Sequence, residues 1–253
     1  MKWEHRCSLD WLRERQRYLT ASDIKSLLPV TKTGRSRTVT DLDMIKVMSS
    51  KMIELTEEDC MSYGAAARGH LLEPYAIDAL NEMLLEMNGS EAEKFYWWDD
   101  EVVSLPGRSL AFSPDAMNVT MDDVDPAGDV TAIAEVKSYS PEKHITTAYT
   151  PKREIEERWQ IATAMALLPN IDHAYLVLFN PKMKQRKTFV IRFDRSDLLH
   201  EIDVILDVEK SWDHFIDSGM LNHHSVNGAI WSKIGGDEVD IAAEIEQRQR
   251  LNP

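Results

Sequence analysis

The sequence predicts an α/β fold, a small mixed sheet flanked by helices, and three observations carry that expectation. Stretches before residue 90 read as helices, and in "RGHLLEPYAIDALNEMLLEM" apolar residues recur every three or four positions, the period of an amphipathic helix. From Phe95 the period shortens towards two and Val, Ile, Tyr, Phe and Trp accumulate, as in strands. Helical patterning then returns after residue 154, broken by two strand-like runs around a polar turn.

In order, "SLDWLRERQRY" and "TASDIKSLL" read as short helices, the second opened by Thr20 and Asp23 at capping-box spacing. "TVTDLDMIKVMSSKMIEL" and "RGHLLEPYAIDALNEMLLEM" read as longer ones, with Pro74 either kinking the latter or standing in its first turn. "FYWWDDEVVSL", "SLAFSPDAM" and "TAIAEVKSY" are the predicted strands, the last two joined by the loop "TMDDVDPAGDV". "EIEERWQIATAMALL" is helical, "HAYLVLF" and "KTFVIRF" form a hairpin around "NPKMKQR", and "SDLLHEIDVILDVEKSWDHFI" closes as a helix. One domain over 1–253 is expected, with N-terminal helices over 8–87, a core over about 62–195, and a C-terminal helix over about 196–218 followed by a tail.

Composition bounds the function. The chain has 253 residues, 43% hydrophobic and 28% charged, enough to bury a substantial core. No stretch has the apolar length of a membrane span, and the start lacks the apolar run of a signal peptide, so a cytoplasmic protein is expected. Only Cys7 and Cys60 are present, which argues against a disulfide framework or a cysteine-built metal cluster. The net charge of -14 opposes phosphate binding in sum, but not in distribution: an acidic exterior is compatible with one basic groove. "KTGRSR", with Lys32, Arg35 and Arg37, and "KMKQRK", with Lys182 and Lys184, are candidate DNA contacts or else solvated turns. "FYWW" (Phe95 to Trp98) suits a base-stacking platform or, more simply, a packed strand. His223 and His224 suggest a metal site only weakly against ordinary solvation.

The chemistry concentrates in "AFSPDAM" and "AEVKSYS". Strand alternation sends Glu135 and Lys137 to one face and Val136 to the other. If the two strands pair, Asp115 lies beside Glu135. Two adjacent carboxylates raise each other's pKa unless a cation neutralises them, and a hard divalent ion such as Mg²⁺ suits carboxylate and carbonyl oxygens. The competing reading is a plain carboxylate–lysine pair at a sheet edge.

"SPDAM" followed by "EVK" resembles the PD-(D/E)xK nuclease signature, with Pro114-Asp115 supplying the first two residues. Gly69 and Glu73 in "RGHLLEPYA", and Gln160 in "ERWQIATAMALL", are similar to that superfamily's flanking motifs. Trp11, Arg15 and Thr20-Ala21-Ser22 form a W-x-x-x-R-x-x-x-x-TAS pattern that resembles the opening of the lambda-type phage exonucleases, viral alkaline exonucleases of recombination. "FNPKMK" resembles that family's "DPRMK"-like segment, with Asn180 where the family carries Asp.

The resemblance implies a restriction-endonuclease-like core and a Mg²⁺-dependent 5′-to-3′ exonuclease that degrades one strand of linear duplex DNA from 5′-phosphorylated ends. Asp115, Glu135 and the Val136 carbonyl would hold the metal, and Glu73 a second ion, directly or through water; Mn²⁺ would substitute. Lys137 would position and help activate water, and Gln160 would hold Lys137 or that water. Arg15 and Ser22 would bind the 5′-phosphate, a role that Ser22's place at a helix start also favours. A homotrimeric ring, a phage single-strand annealing protein as partner and a bacterial host cytoplasm are implied on the same ground. The alternatives are a structure-specific or restriction-type endonuclease on the same core, or an inactive DNA-binding module.

Overall fold

A computed structural model describes residues 8–28, 39–56, 59, 64–98, 101–120 and 125–217. By its internal contacts the chain divides into a large unit, Met1–Glu209, and a small one, Lys210–Pro253. The helices and strands of the large unit make the expected α/β architecture, with two sheets where one was expected.

The N-terminal helices form where predicted. They are α1 (Leu9–Gln16), α2 (Ala21–Leu27), α3 (Asp41–Lys51) and α4 (Gly64–Asn88). Thr20 caps α2 and Thr40 caps α3, each in a full capping box with the Asp three residues on. Pro74 lies inside α4 rather than in its first turn.

The larger sheet has five strands in the order β2-β5-β6-β7-β8. These are β2 (Tyr96–Trp97), β5 (Ala116–Met117), β6 (Ala132–Lys137), β7 (His173–Phe179) and β8 (Thr188–Asp194). β6 and β7 run parallel, and the other pairs are antiparallel, so the sheet is mixed. The smaller sheet has β4 (Leu110–Phe112) between β1 (Leu19–Thr20) and β3 (Val103–Ser104).

Two predicted strands thus each divide between the sheets. "FYWWDDEVVSL" contributes β2 to one and β3 to the other. "SLAFSPDAM" breaks at Ser113-Pro114-Asp115 between β4 and β5. Pro114 has no N–H for a ladder, so an unbroken central strand was never available there.

Ala132, Ala134 and Val136 of β6 pack with Ala76, Ile77, Leu80 and Leu84 of α4 in one core. That arrangement turns the odd-numbered β6 residues to the opposite face. Phe95 and Trp98, which flank β2, are buried, while Tyr96 and Trp97 of β2 itself are half-buried, so the packed-strand reading of "FYWW" holds only for part of the run. A helix not foreseen, α5 (Pro141–Tyr149), follows β6, with Ser140 as its cap and Pro141 in its first turn. Then α6 (Arg158–Leu167), almost wholly buried, leads back to β7 as the crossover that a parallel pair requires. The last described element, α7 (Leu199–Asp217), is entered through a 3₁₀ turn over Arg195–Leu198.

Candidate active site

Antiparallel pairing of β5 with β6 sets Ala116 opposite Ala134, which brings the preceding Asp115 to the end of β6. There Asp115 Oδ2 accepts a 2.6 Å hydrogen bond from the Val136 N–H. In a strand the N–H and C=O of one residue point to the same edge, so the Val136 carbonyl faces the Asp115 side. Glu135 and Lys137 share the face away from α4, and the Lys137 ammonium contacts Glu135 Oε1. Burial pushes the Asp115 carboxyl well above the usual range, and the neighbouring charges of Glu135 and Glu73 push the same way. Burial alone would lower Lys137, but Glu135 and Asp115 outweigh it and raise the ammonium's pKa, with Glu157 adding to them.

Glu73 reaches this neighbourhood from α4. Its Oε1 lies 2.8 Å from His70 Nδ1, and its Oε2 accepts a 3.3 Å bond from the Trp97 indole. Among the described residues no group of three His, Cys, Asp or Glu side chains is gathered to hold a metal. Asp115, Glu135 and the Val136 carbonyl are nevertheless hard oxygen donors at one strand end, and their crowded negative charge is what a divalent cation would relieve. The chemistry of these donors would suit a hard divalent ion such as Mg²⁺, while Glu73 is engaged with His70 and Trp97.

A second polar cluster lies within electrostatic reach of the first, and its parts come from separate elements of the chain. Glu157, only 2% exposed, caps α6 by position and receives Lys25 Nζ of α2 at 2.8 Å. The same Glu157 oxygen accepts the Tyr139 hydroxyl. Burial would raise Glu157, but hydrogen bonds from Lys25 and Tyr139 hold it below its usual value, as an anion. Asn180 donates from Nδ2 to the Tyr139 carbonyl at 2.9 Å. A carboxylate at 180 would have no proton to give there, so the Asn180 amide has a local use. Gln160 is half-buried in the first turn of α6 and makes no direct hydrogen bond to Lys137, whose contact is Glu135.

The predicted phosphate pair is brought together. The Arg15 guanidinium donates to Ser22 Oγ and to Ser113 Oγ, each at 3.3 Å, and lies 4.4 Å from the centre of the Trp11 ring. Ser113 has no motif of its own to mark it in the sequence, though it sits two residues before Asp115. The helix-start argument for Ser22 weakens, because α2 has seven residues and Thr20 already accepts the N–H of Asp23. What the structure offers instead is the group of three side chains, a planar fork flanked by two hydroxyls, a chemistry that phosphate oxygens would match.

Lys182 and Lys184 are exposed in the turn between β7 and β8. That turn is fastened by a 3.0 Å contact between His144 Nε2 and the Arg186 carbonyl. Lys32, Arg35, Arg37, His223 and His224 lie outside the described residues.

No family model and no curated sequence matches the chain. Solved structures do. The crystal structure of an alkaline exonuclease, LHK-Exo, from Laribacter hongkongensis superposes with a TM-score of 0.52 at 18% identity, covering 83% of this chain and 97% of that one. The same exonuclease in complex with dAMP gives a TM-score of 0.51 at 17% identity, with the same coverage. Over most of its length the chain has the fold of an alkaline exonuclease.

Proposed function

We propose that the chain is a Mg²⁺-dependent exonuclease that degrades one strand of linear duplex DNA in the 5′-to-3′ direction from 5′-phosphorylated ends. The observation that carries the reading is the meeting of two clusters. Asp115, Glu135 and Lys137 gather at one strand end, and Ser113, on the same short connection as Asp115, touches Arg15. On this reading the hydrolytic site and the terminal-phosphate site meet within the Ser113–Asp115 connection.

Asp115, Glu135 and the Val136 carbonyl would hold Mg²⁺ or Mn²⁺, and Glu73 would serve a second ion. Bound there, such an ion would supply stabilisation of charge on the attacking and leaving oxygens. Lys137, kept as an ammonium by its carboxylate neighbours, donates a hydrogen bond that orients the attacking water and offsets charge growing on the phosphoryl oxygens. Gln160 would steady that water. Arg15, Ser22 and Ser113 would hold the terminal 5′-phosphate and so fix which phosphodiester reaches Lys137. Water adds to phosphorus, the bond to the 3′-oxygen breaks, and the shortened strand keeps a 5′-phosphate that the same pocket can take again.

On this reading the protein serves recombination by single-strand annealing, as a homotrimeric ring beside a phage annealing protein in the host cytoplasm. Solution mass tests the trimer. The activity is tested by digesting 5′-phosphorylated linear, 5′-hydroxyl linear and closed circular duplex, with and without Mg²⁺. Fast loss of the phosphorylated linear substrate alone, only with metal, is the expected result. Equal cutting of circles would hand the site to an endonuclease.

A further inference from the structure

The buried carboxylate of Glu157 plays no part in the hydrolysis outlined above, yet it is costly to keep. An ionised carboxylate that is 2% exposed destabilises a fold unless it is well paired. Its partners come from two distant places. Lys25 lies on α2, one helical turn beyond Ser22, and its ammonium is 2.8 Å from Glu157. Tyr139 lies two residues beyond Lys137 and gives its hydroxyl to the same oxygen. The Tyr139 backbone is fixed in turn by Asn180 at 2.9 Å. Glu157 also stands immediately before α6, whose first turn carries Gln160. One side chain therefore spans from the helix of the proposed phosphate pocket to the strand end that carries the proposed water-orienting lysine.

We propose that Glu157 is a positioning residue that sets the register of cleavage: through Lys25 and Tyr139 it fixes the span between the Arg15–Ser22 pocket and Lys137. The inference rests on the exonuclease reading and adds how product length is measured. With the span rigid, an end phosphate seated on Arg15 and Ser22 presents one phosphodiester to Lys137. With the span loose, neighbouring phosphodiesters compete for it. A displacement of about 1 Å at a reacting centre is enough to cost roughly a hundredfold in rate. The bridge therefore controls which bond is cut as well as how fast.

The test is product length on linear duplex with a labelled 5′-terminal phosphate, in Mg²⁺. Wild type is expected to release the label in a single length. Lys25→Met cuts the bridge on α2 and leaves Glu157 bonded to Tyr139. It should slow release about ten- to a hundredfold and spread the label over adjacent lengths. Lys25→Arg, which keeps the cation, should restore the single length. If Lys25→Met fails to fold because Glu157 is left unpaired, Lys25→Met/Glu157→Gln removes that charge as well and should show the same spread. A single unchanged length from either folded variant, whatever its rate or melting temperature, overturns the proposal and makes the bridge structural only. Mixed lengths from wild type overturn the register proposal alone, whereas no preference for phosphorylated ends overturns the exonuclease reading and the register proposal with it.

Discussion

Asp115 stands close to two other carboxylates, and in the metal-free protein that crowding favours the protonated acid. Its own burial is the largest cause, followed by the charges of Glu135 and Glu73. The folded state therefore holds this proton more tightly than the unfolded chain does. The resulting stability is fully present below the unfolded carboxylate value and is lost as pH rises through the raised one. Asp115→Asn cannot ionise, yet it keeps an oxygen for the Val136 N–H. The metal-free variant should melt above wild type near neutral pH, by about 2–4 °C for each kcal/mol relieved, and should lose hydrolysis altogether. Thermal scans with chelator at about pH 5 and about pH 8 check the sign, since the gain should shrink at the acid end. A variant that melts lower at both would mean that Asp115 is a stabilising partner rather than a strained one. Lys137 gives the complementary prediction. Lys137→Ala should lose roughly 10²–10⁴-fold in turnover while binding of Mg²⁺ and duplex persists. Metal titration beside single-turnover rates separates that outcome from a lysine that merely pairs with Glu135.

At the scale of elements, the polar ties decide what the chain can spare. Glu209 of α7 is buried and takes a forked pair of bonds from Arg108, at 2.7 and 2.9 Å, together with the N–H groups of Ser109 and Leu110. Arg108 also donates to the Ala166 carbonyl of α6 at 3.3 Å. Glu209→Ala would strand an arginine and two backbone N–H groups at once, and should cost about 3–5 kcal/mol, read as a lower midpoint in urea. A change within experimental error would mean that water replaces the carboxylate freely. Ties of this kind were not legible in the sequence, because Arg108 and Glu209 stand far apart and each looks like an ordinary surface charge. Helices and the β7–β8 hairpin were legible, since their signals are local: Thr20 with Asp23, or two apolar runs around "NPKMKQR". The start of α5 carries a local signal too, in Ser140-Pro141, but the helix is short and its apolar residues too few to mark a period. The break at Pro114 had a visible cause, but the second sheet that receives β4 is a property of tertiary packing. The same division runs through the site. Asp115, Glu135 and Lys137 are marked as candidates by residue type and spacing, and Arg15 and Ser22 by the family resemblance, whereas Ser113, Tyr139, Lys25 and Glu157 gain meaning only where separate elements meet.

The whole molecule carries a net charge of -14, and its proposed substrate is a polyanion. Long-range repulsion must therefore be overcome locally, by cations grouped where the duplex is to lie. Lys182 and Lys184 are exposed in the β7–β8 turn, and the strand that leads into it, β7, is the parallel neighbour of β6. If they meet phosphates, replacing both with Ala should weaken binding by a similar factor on any sequence. The slope of log affinity against log salt should become shallower by about 0.9 for each phosphate that is no longer neutralised. The effect is best measured in the Asp115→Asn background, where the duplex stays uncut, by titrating it over a range of salt. Turnover at saturating DNA should change little, because neither lysine is near the reacting atoms on the proposed reading. An unchanged slope would make the turn a solvated one and leave Lys32, Arg35 and Arg37 as the cations that meet the duplex. A changed slope with large sequence dependence would point instead to contacts with base edges, which a nuclease that consumes any duplex from its end has no reason to build.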